Sequence, residues 1–373
     1  MTIKAPAVPP EDVPADRPPA ARHSRMRAVL DVVDERLGIS ALEYPVPEHA
    51  NRLSWTLGGI TAASLGLLVV TGVLLVQFYS PVPESANASV RHIVTGVSGG
   101  RFIRAVHFWA AQAMYVTALL HLIRVFLTGS YKRPREGNYL IGVAMFGLVT
   151  LAIFTGTVLK WDQEGFEALE HNIEIGRLLG GAGLWFSPTF ADQVPILVRL
   201  YGAHVVIVPG LILALAVLHG LLVKKHKISP HPALPSDSSG TQAPPDEPTA
   251  PFTAHLKRIA VFGMVLFGIL GMLAVLWPPT VGAPPVEGLE ITRPPWMFWW
   301  VFTLENWVGL PGILGGELAF FALLVALPFV DRNPRRAWRR RPVAMVAASI
   351  VLLVVAVLTA LMAATPARQH LGM

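Results

Sequence analysis

From Leu53 to Pro83 the chain carries no charged residue. A run of that kind leaves few folds open. About 20 residues of helix cross the hydrocarbon of a bilayer. Inside it, every backbone N–H and C=O must be satisfied without water, which leaves helices or closed barrels. Uncharged runs approaching or exceeding that length recur down the chain, and only 14% of its residues are charged while 53% are hydrophobic. An ordinary soluble domain carries about a quarter charged residues. The fold class is therefore an all-α membrane protein with seven spans, at about 53–80, 102–128, 138–160, 197–224, 256–277, 312–331 and 342–364.

The segments between and around these spans divide the chain. Residues 1–25 are proline-rich and polar, and read as a disordered tail. Residues 26–52 hold a stretch, MRAVLDVVDERLGI, with apolar positions at helical spacing. It reads as an amphipathic helix on the membrane surface, or equally as a plain solvent-facing helix, followed by a lead-in. No apolar core precedes residue 53, so no cleaved signal peptide is expected. A four-helix domain follows at 53–227, a Pro/Ser-rich linker at 228–254 and a three-helix domain at 255–373.

The net charge of +6 is not a nucleic-acid signal, because the basic residues cluster at span ends. Lys132, Arg133 and Arg135 follow the second span. Lys224, Lys225, Lys227, Lys257 and Arg258 lie between the fourth and fifth, and Arg332 to Arg341 between the sixth and seventh. The loop after the third span is acidic instead, with Asp162, Glu164, Glu167, Glu170 and Glu174. The positive-inside rule then places the N-terminus in the cytoplasm and the C-terminus outside, in what reads as a bacterial inner membrane. The second and fourth spans run parallel, from outside to inside.

Four of the 12 histidines sit inside apolar stretches, two on each of those parallel spans. His107 and His121 are 14 residues apart, His204 and His219 are 15 apart. Each spacing is a rise of roughly 21–22 Å, and the two members of a pair face the same side to within roughly 40° and 60°. His107 would meet His204 near the outer face and His121 would meet His219 near the inner face. A neutral imidazole is a good axial ligand for haem iron. The pattern suits two haems, one above the other, each closed by two histidines. A single intramembrane histidine reads more plainly as a hydrogen-bonded structural residue or a proton relay; four in matched pairs do not. Gly58 and Gly72 on the first span, and Gly142 and Gly156 on the third, repeat the 14-residue spacing. Glycine lets a flat macrocycle approach the backbone, although small residues also serve plain helix packing. Arg104, Arg124 and Arg199 sit near the histidines at span ends, where a guanidinium can grip a propionate or simply anchor the span.

These stretches resemble cytochrome b of the quinol-oxidising cytochrome bc and bf complexes. RAVHFWAAQAMYVTALLHLIRVFLTGSYKRPRE, FTGTVLKWDQEGF and LVRLYGAHVVIVPGLILALAVLHG are similar to the second, third and fourth helices of the chloroplast and cyanobacterial branch. That branch also has 14 residues between the histidines of its fourth helix, where mitochondrial relatives have 13. Residues from about 250 onward resemble the separate three-helix subunit of chloroplasts, here fused through the linker. The likeness spans about 30–365. It implies that His107 and His204 hold an outer, lower-potential b-type haem, that His121 and His219 hold an inner, higher-potential one, and that the four glycines and three arginines contact them. It also implies lipid quinol and quinone as substrates, a Rieske iron–sulfur partner, a c-type cytochrome or soluble acceptor, and a homodimer within a larger complex.

Three departures from the family matter. Thr56 stands where the chloroplast branch has a haem-tethering cysteine, and a chain without cysteine cannot form a thioether-linked haem, a disulfide or an iron–sulfur site of its own. The family's LPW becomes Leu159–Lys160–Trp161. The quinol-site PEWY becomes Pro294–Pro295–Trp296–Met297, so the glutamate that takes a proton from quinol is missing. Its replacement is sought among Glu290, Glu305, Asp162 and Glu164, with Glu305 conspicuous inside WMFWWVFTLENW. An intramembrane carboxylate is costly and often functional; an ordinary interfacial glutamate is the plainer alternative. Trp296 would shape the outer pocket or belong to an interfacial aromatic belt. Lys224 and Lys225 would serve the inner quinone site or merely orient the fourth span. Two other readings compete: a dihaem anchor of a dehydrogenase or hydrogenase, and a transporter with a histidine relay.

Overall fold

The computed structural model describes residues 25–38, 43–232 and 248–365. The expected disorder of the N-terminal tail and most of the linker lie outside them. The N-terminal unit, Met1–Tyr44, contains helix α1, Arg25–Leu37, which covers the amphipathic stretch. The second unit, Pro45–Met373, carries the rest.

Among the described residues of this unit, seven helices are long and apolar enough to cross a membrane: α2 (Leu53–Leu75), α4 (Gly100–Leu127), α5 (Glu136–Val158), α7 (Ile196–His226), α8 (Phe252–Leu276), α10 (Pro311–Val330) and α11 (Pro342–Ala364). They match the seven expected spans. The largest shift is at α2, which ends at Leu75 and not near 80; Pro81 and Pro83 restrict the residues before them to extended backbone. Three shorter helices lie in the connections between spans: α3 (Pro83–Thr95), α6 (Gln163–Leu178) and α9 (Trp299–Val308). Asp162 caps α6 by accepting the Gly165 N–H at 3.1 Å, and Glu164 in the first turn complements the helix dipole.

The linker boundary also moves. Thr249–Pro251 (β2) pairs antiparallel with Pro45–Pro47 (β1), and α8 begins at Phe252 instead of 256. Proline is tolerated in a two-stranded ribbon because both strands are edges.

α2 packs along α4, α5 along α7, and α8 across both α2 and α4, while α9 lies against α10 and α11. A core of Leu65, Met114, Val149, Ile153, Val208, Ile212 and Met297 fills the middle of the bundle. The outward faces of the spans remain apolar and exposed, as at Val217, Val343 and Leu353, which suits contact with lipid tails.

At the basic end a buried polar lock joins the loops after α4 and α10. The Arg341 side chain, with no exposure, meets Asp331 at 3.1 Å. It donates to the Tyr131 hydroxyl at 2.8 Å and to the Phe126 and Leu127 carbonyls at 2.6 and 3.0 Å. Those carbonyls end α4; Phe126 also accepts the Gly129 N–H at 3.1 Å, and the Arg341 guanidinium supplies a donor to both. Lys132 pairs with Asp331 at 2.9 Å. Arg135 donates to the His226 carbonyl at 2.8 Å, placing a cation at the C-terminus of α7.

At the acidic end, α6 clamps the long connection between α8 and α9. Asp162 accepts the Gly282 N–H at 3.0 Å, Gln163 the Val286 N–H at 2.8 Å and Glu167 the Ile291 and Thr292 N–H groups at 2.9 and 3.0 Å.

Candidate functional site

His107 on α4 and His204 on α7 face each other with ring centres 6.4 Å apart. Two imidazoles on opposite sides of one metal, each nitrogen about 2.0–2.1 Å from it, would put their ring centres roughly 6.3 Å apart. His121 on α4 lies within electrostatic reach of His219 on α7, forming the second layer. The 15-residue spacing on α7 has a local cause. Ala203–Ile207 forms a π-turn, which absorbs one extra residue. Pro209 follows it and has no N–H to return to the Val205 carbonyl. Fifteen residues with one inserted place the two rings as fourteen do on α4, so both helices present their histidines to the same interior.

All four glycines lie against these rings. A Cβ built on Gly156 would come within 2.9 Å of His204 Cε1, and one on Gly58 within 3.0 Å of His121 Cε1. The corresponding approaches are 3.4 Å from Gly72 to His107 and 3.7 Å from Gly142 to His219. The four glycines, expected to leave room for a macrocycle, lie beside the imidazole rings. α2 thus makes space for the histidines of α4, and α5 for those of α7.

Two threonines escaped the sequence reading. Thr71 Oγ1 lies 2.9 Å from His107 Nδ1 and donates to the Leu67 carbonyl at 2.7 Å. Thr155 Oγ1 lies 2.9 Å from His204 Nδ1 and donates to the Leu151 carbonyl at 3.0 Å. Each hydroxyl has one proton, already given to the backbone, so the imidazole Nδ1–H must be the donor. His219 Nδ1 likewise donates to the Asn138 carbonyl at 3.1 Å. In three of four histidines the proton is thus held on Nδ1, leaving Nε2 as a free lone pair suited to a metal. His121 differs: its Nδ1 lies 3.4 Å from Arg124 Nη2. The only signal for the threonines was a repeated Thr–Gly pair, Thr71–Gly72 and Thr155–Gly156.

The three arginines are placed unequally. Arg124 is stacked over Trp55, 4.6 Å from the ring centre, and its Nε is buried without a hydrogen bond, a donor to spare for an anionic group. Arg104 donates to the Pro279 carbonyl at 2.8 Å. Arg199 donates to the Trp185 and Ser187 carbonyls at 2.6 and 2.7 Å, though its Nε too is buried and unpartnered. Both therefore hold loops at the acidic end. Lys224 and Lys225 are exposed in the last turn of α7. Thr56 is fully buried and donates to the Leu53 carbonyl at 2.9 Å.

A cleft opens at the acidic end, among α6, α9 and the preceding loop. Of the proton-acceptor candidates, Glu164, Glu290 and Glu305 line it and Asp162 does not. The Pro294–Met297 tetrapeptide is split. Pro294 is in the wall of the cleft, Trp296 donates to Gln112 Oε1 at 2.8 Å, and Met297 is in the bundle core. Pro295 opens the short turn ahead of α9. The structure adds His171 from α6, which is not one of the four histidines inside apolar stretches. Its Nδ1 donates to the Glu167 carbonyl at 2.7 Å, and its Nε2 lies 3.2 Å from Glu305 and 3.6 Å from Glu290. Burial alone would depress His171, but Glu305, the Glu167 carbonyl and Glu290 outweigh it and raise its pKa above 6.5.

Comparison with known proteins agrees with this architecture. The family described as Cytochrome b(N-terminal)/b6/petB matches residues 112–284, and Cytochrome b(C-terminal)/b6/petD matches 283–372. Cytochrome b6 of Mastigocladus laminosus is 34% identical over 213 residues, covering 55% of this chain and 99% of the relative. The menaquinol:cytochrome c reductase cytochrome b subunit of Geobacillus thermodenitrificans is 30% identical over 220 residues, covering 55% and 98%. A solved hyperthermophilic respiratory Complex III chain shares the fold, with a TM-score of 0.76 and 22% identity over 91% of this chain and 92% of that one. With matched regions running from α4 to the C-terminal tail, and a first half that aligns along the whole of cytochrome b6, the chain belongs to the cytochrome b/b6 family.

Proposed function

We propose that this chain is the cytochrome b subunit of a quinol:cytochrome c type oxidoreductase, with menaquinol as the quinol class its named relatives favour. The observation that carries the reading is the opposed imidazole pair His107–His204, 6.4 Å between ring centres, backed by glycines on both sides. His107 and His204 hold the outer, lower-potential b-type haem, and His121 and His219 the inner, higher-potential one. When bound, these groups supply one-electron transfer across the membrane.

The protein's own residues do the rest. Thr71, Thr155 and the Asn138 carbonyl fix the histidine tautomers. Arg124, with a spare donor, grips a propionate, and Arg104 and Arg199 add positive charge near the outer pair. At the acidic end the cleft receives a quinol, and a carboxylate or imidazole within hydrogen-bond reach takes its proton. At the basic end Lys224 and Lys225 attend a quinone that takes up protons. With the basic end in the cytoplasm, protons leave outside and enter inside. A Rieske iron–sulfur protein and a c-type cytochrome accept electrons, within a dimeric complex of a bacterial inner membrane.

Purification of the complex from its native membrane tests this. Copurification with a Rieske protein and quinol-dependent reduction of cytochrome c are expected. Copurification with a dehydrogenase or hydrogenase instead would favour the dihaem-anchor reading. A graded effect is also expected at the glycines. Gly156→Ala should deplete the His204 haem, because its Cβ would meet the ring at 2.9 Å, whereas Gly142→Ala, at 3.7 Å, should leave haem content near normal. Haem-to-protein ratios of the two variants decide it; equal ratios would contradict the cradle.

A further inference from the structure

Hydrogen-bond accounting separates the carboxylates of the acidic cleft. Glu167 accepts the Ile291 and Thr292 N–H groups and the Thr292 hydroxyl. Asp162 accepts the Gly165 and Gly282 N–H groups and pairs with Lys160 at 3.5 Å. Glu164 is in contact with the Lys160 ammonium. All three are committed to holding the fold. Glu305 is not: it is 1% exposed, it lines the cleft, and neither carboxylate oxygen has a hydrogen bond. A buried polar group without a hydrogen-bond partner is costly and calls for one. The nearest group is His171 Nε2, at 3.2 Å but out of line for a hydrogen bond. The same nitrogen lies 3.6 Å from Glu290.

We propose that Glu305 takes the proton of the quinol hydroxyl at this cleft and that His171 Nε2 passes it on to Glu290, a pathway that replaces the glutamate absent from Pro294–Met297. The inference rests on the cleft being the quinol-oxidation site. The step is an acid–base transfer only: the quinol O–H bond breaks, its electron pair stays on oxygen as a quinolate, and the proton moves to Glu305. His171 is suited to the relay because its Nδ1 is fixed on the Glu167 carbonyl, so only Nε2 exchanges protons. Glu290, 8% exposed against 1% for Glu305, is the more exposed of the two carboxylates. The other ionisable groups on the cleft wall are Glu164 and Glu167 of α6, with Glu170 within electrostatic reach of His171 and Glu174, Arg177 and Glu287 around it; besides Glu305, α9 and α11 contribute Phe302, Asn306 and Met362.

The test is the pH dependence of menaquinol oxidation by the purified complex. His171 Nε2 must be unprotonated to receive the proton, so the wild type should show a rate that rises with pH along an acid limb. Positioned acid–base groups contribute about 10²–10⁴-fold, so Glu305→Gln should lose on the order of 10²-fold in kcat with its b-type spectrum intact. Glu305→Asp should recover part of the rate and keep the limb. Glu290→Gln removes a negative charge beside His171 and should move the limb to lower pH, and His171→Gln should flatten it. Wild-type rate and limb in a spectrally intact Glu305→Gln complex would overturn the relay. If that variant fails to assemble, an unmoved limb in both Glu290→Gln and His171→Gln would overturn it. A wild-type complex that does not oxidise quinol at all would overturn the functional reading first, and the relay with it.

Discussion

Replacing His204 with alanine is expected to leave the protein with one b-type haem in place of two, the outer component vanishing from the reduced-minus-oxidised spectrum. An iron held between two imidazoles loses half of its protein ligands, and the methyl group of alanine cannot reach the 6.4 Å that separates the ring centres. The loss should be confined to one layer. His121 and His219 belong to the other layer, and their own surroundings, Gly58, Gly142 and the Asn138 carbonyl, are untouched. Thr155→Val is the milder counterpart. It removes the acceptor of the His204 Nδ1 proton and leaves the ligand in place. Such outer partners raise ligand basicity, and their loss typically costs about 10–100-fold in metal affinity. The haem should remain but bind less tightly, with a raised midpoint potential, since a less basic imidazole stabilises ferric iron less. Retention of both haem components by His204→Ala would contradict the ligand assignment.

Arg341→Met should cost about 3–5 kcal/mol of stability, the range for breaking a buried charge pair from one side. Arg341 has no exposed side-chain surface and serves Asp331, Tyr131 and the last two carbonyls of α4. Methionine fills comparable space but donates nothing. Leu127 then loses the Arg341 donor in a buried setting, Phe126 is left with the Gly129 N–H, and Asp331 keeps Lys132 and Tyr131. This lock joins the loop after α4 to the loop after α10, so its failure should loosen the three-helix part before the haem-bearing bundle. Thermal unfolding in detergent, followed by haem absorbance and by protease sensitivity of the 331–341 loop, would show this. An unchanged midpoint and an uncut loop would contradict the role given to Arg341. The Asp331 carboxyl is buried, which alone would raise its pKa, but Tyr131, Lys132 and Arg341 pull it below the usual 3.8. Its contribution is therefore present above pH about 4 and lost only in stronger acid.

The spans were legible because hydrocarbon permits so little else: α2, α4, α5, α7, α8, α10 and α11 all fall where uncharged runs stand. The histidine layers were legible for a related reason, since an imidazole has few grounds to sit in an apolar helix. The face on which His204 and His219 sit was legible only approximately. A straight helix puts them about 60° apart, and the π-turn at Ala203–Ile207 that corrects this is a backbone response to Pro209. The acidic cleft was less legible still. It depends on α6 and α9, short amphipathic helices lying in loops, where neither length nor charge pattern announces a span. Glu305 stood out by its apolar surroundings, but nothing local tied it to His171, which lies 134 positions earlier and is turned toward it by the Glu167 clamp on Ile291 and Thr292. The strand pairing of Pro45–Pro47 with Thr249–Pro251 was equally invisible, since it joins two proline-rich segments across the whole first domain.

Redox titration of the b-type absorbance in the purified chain puts the paired-histidine assignment to its most direct test. Two components at different midpoint potentials are expected, with His107→Ala and His204→Ala each abolishing the same lower-potential component and His121→Ala and His219→Ala each abolishing the other. A single component, or variants that pair His107 with His121 in place of His204, would contradict it.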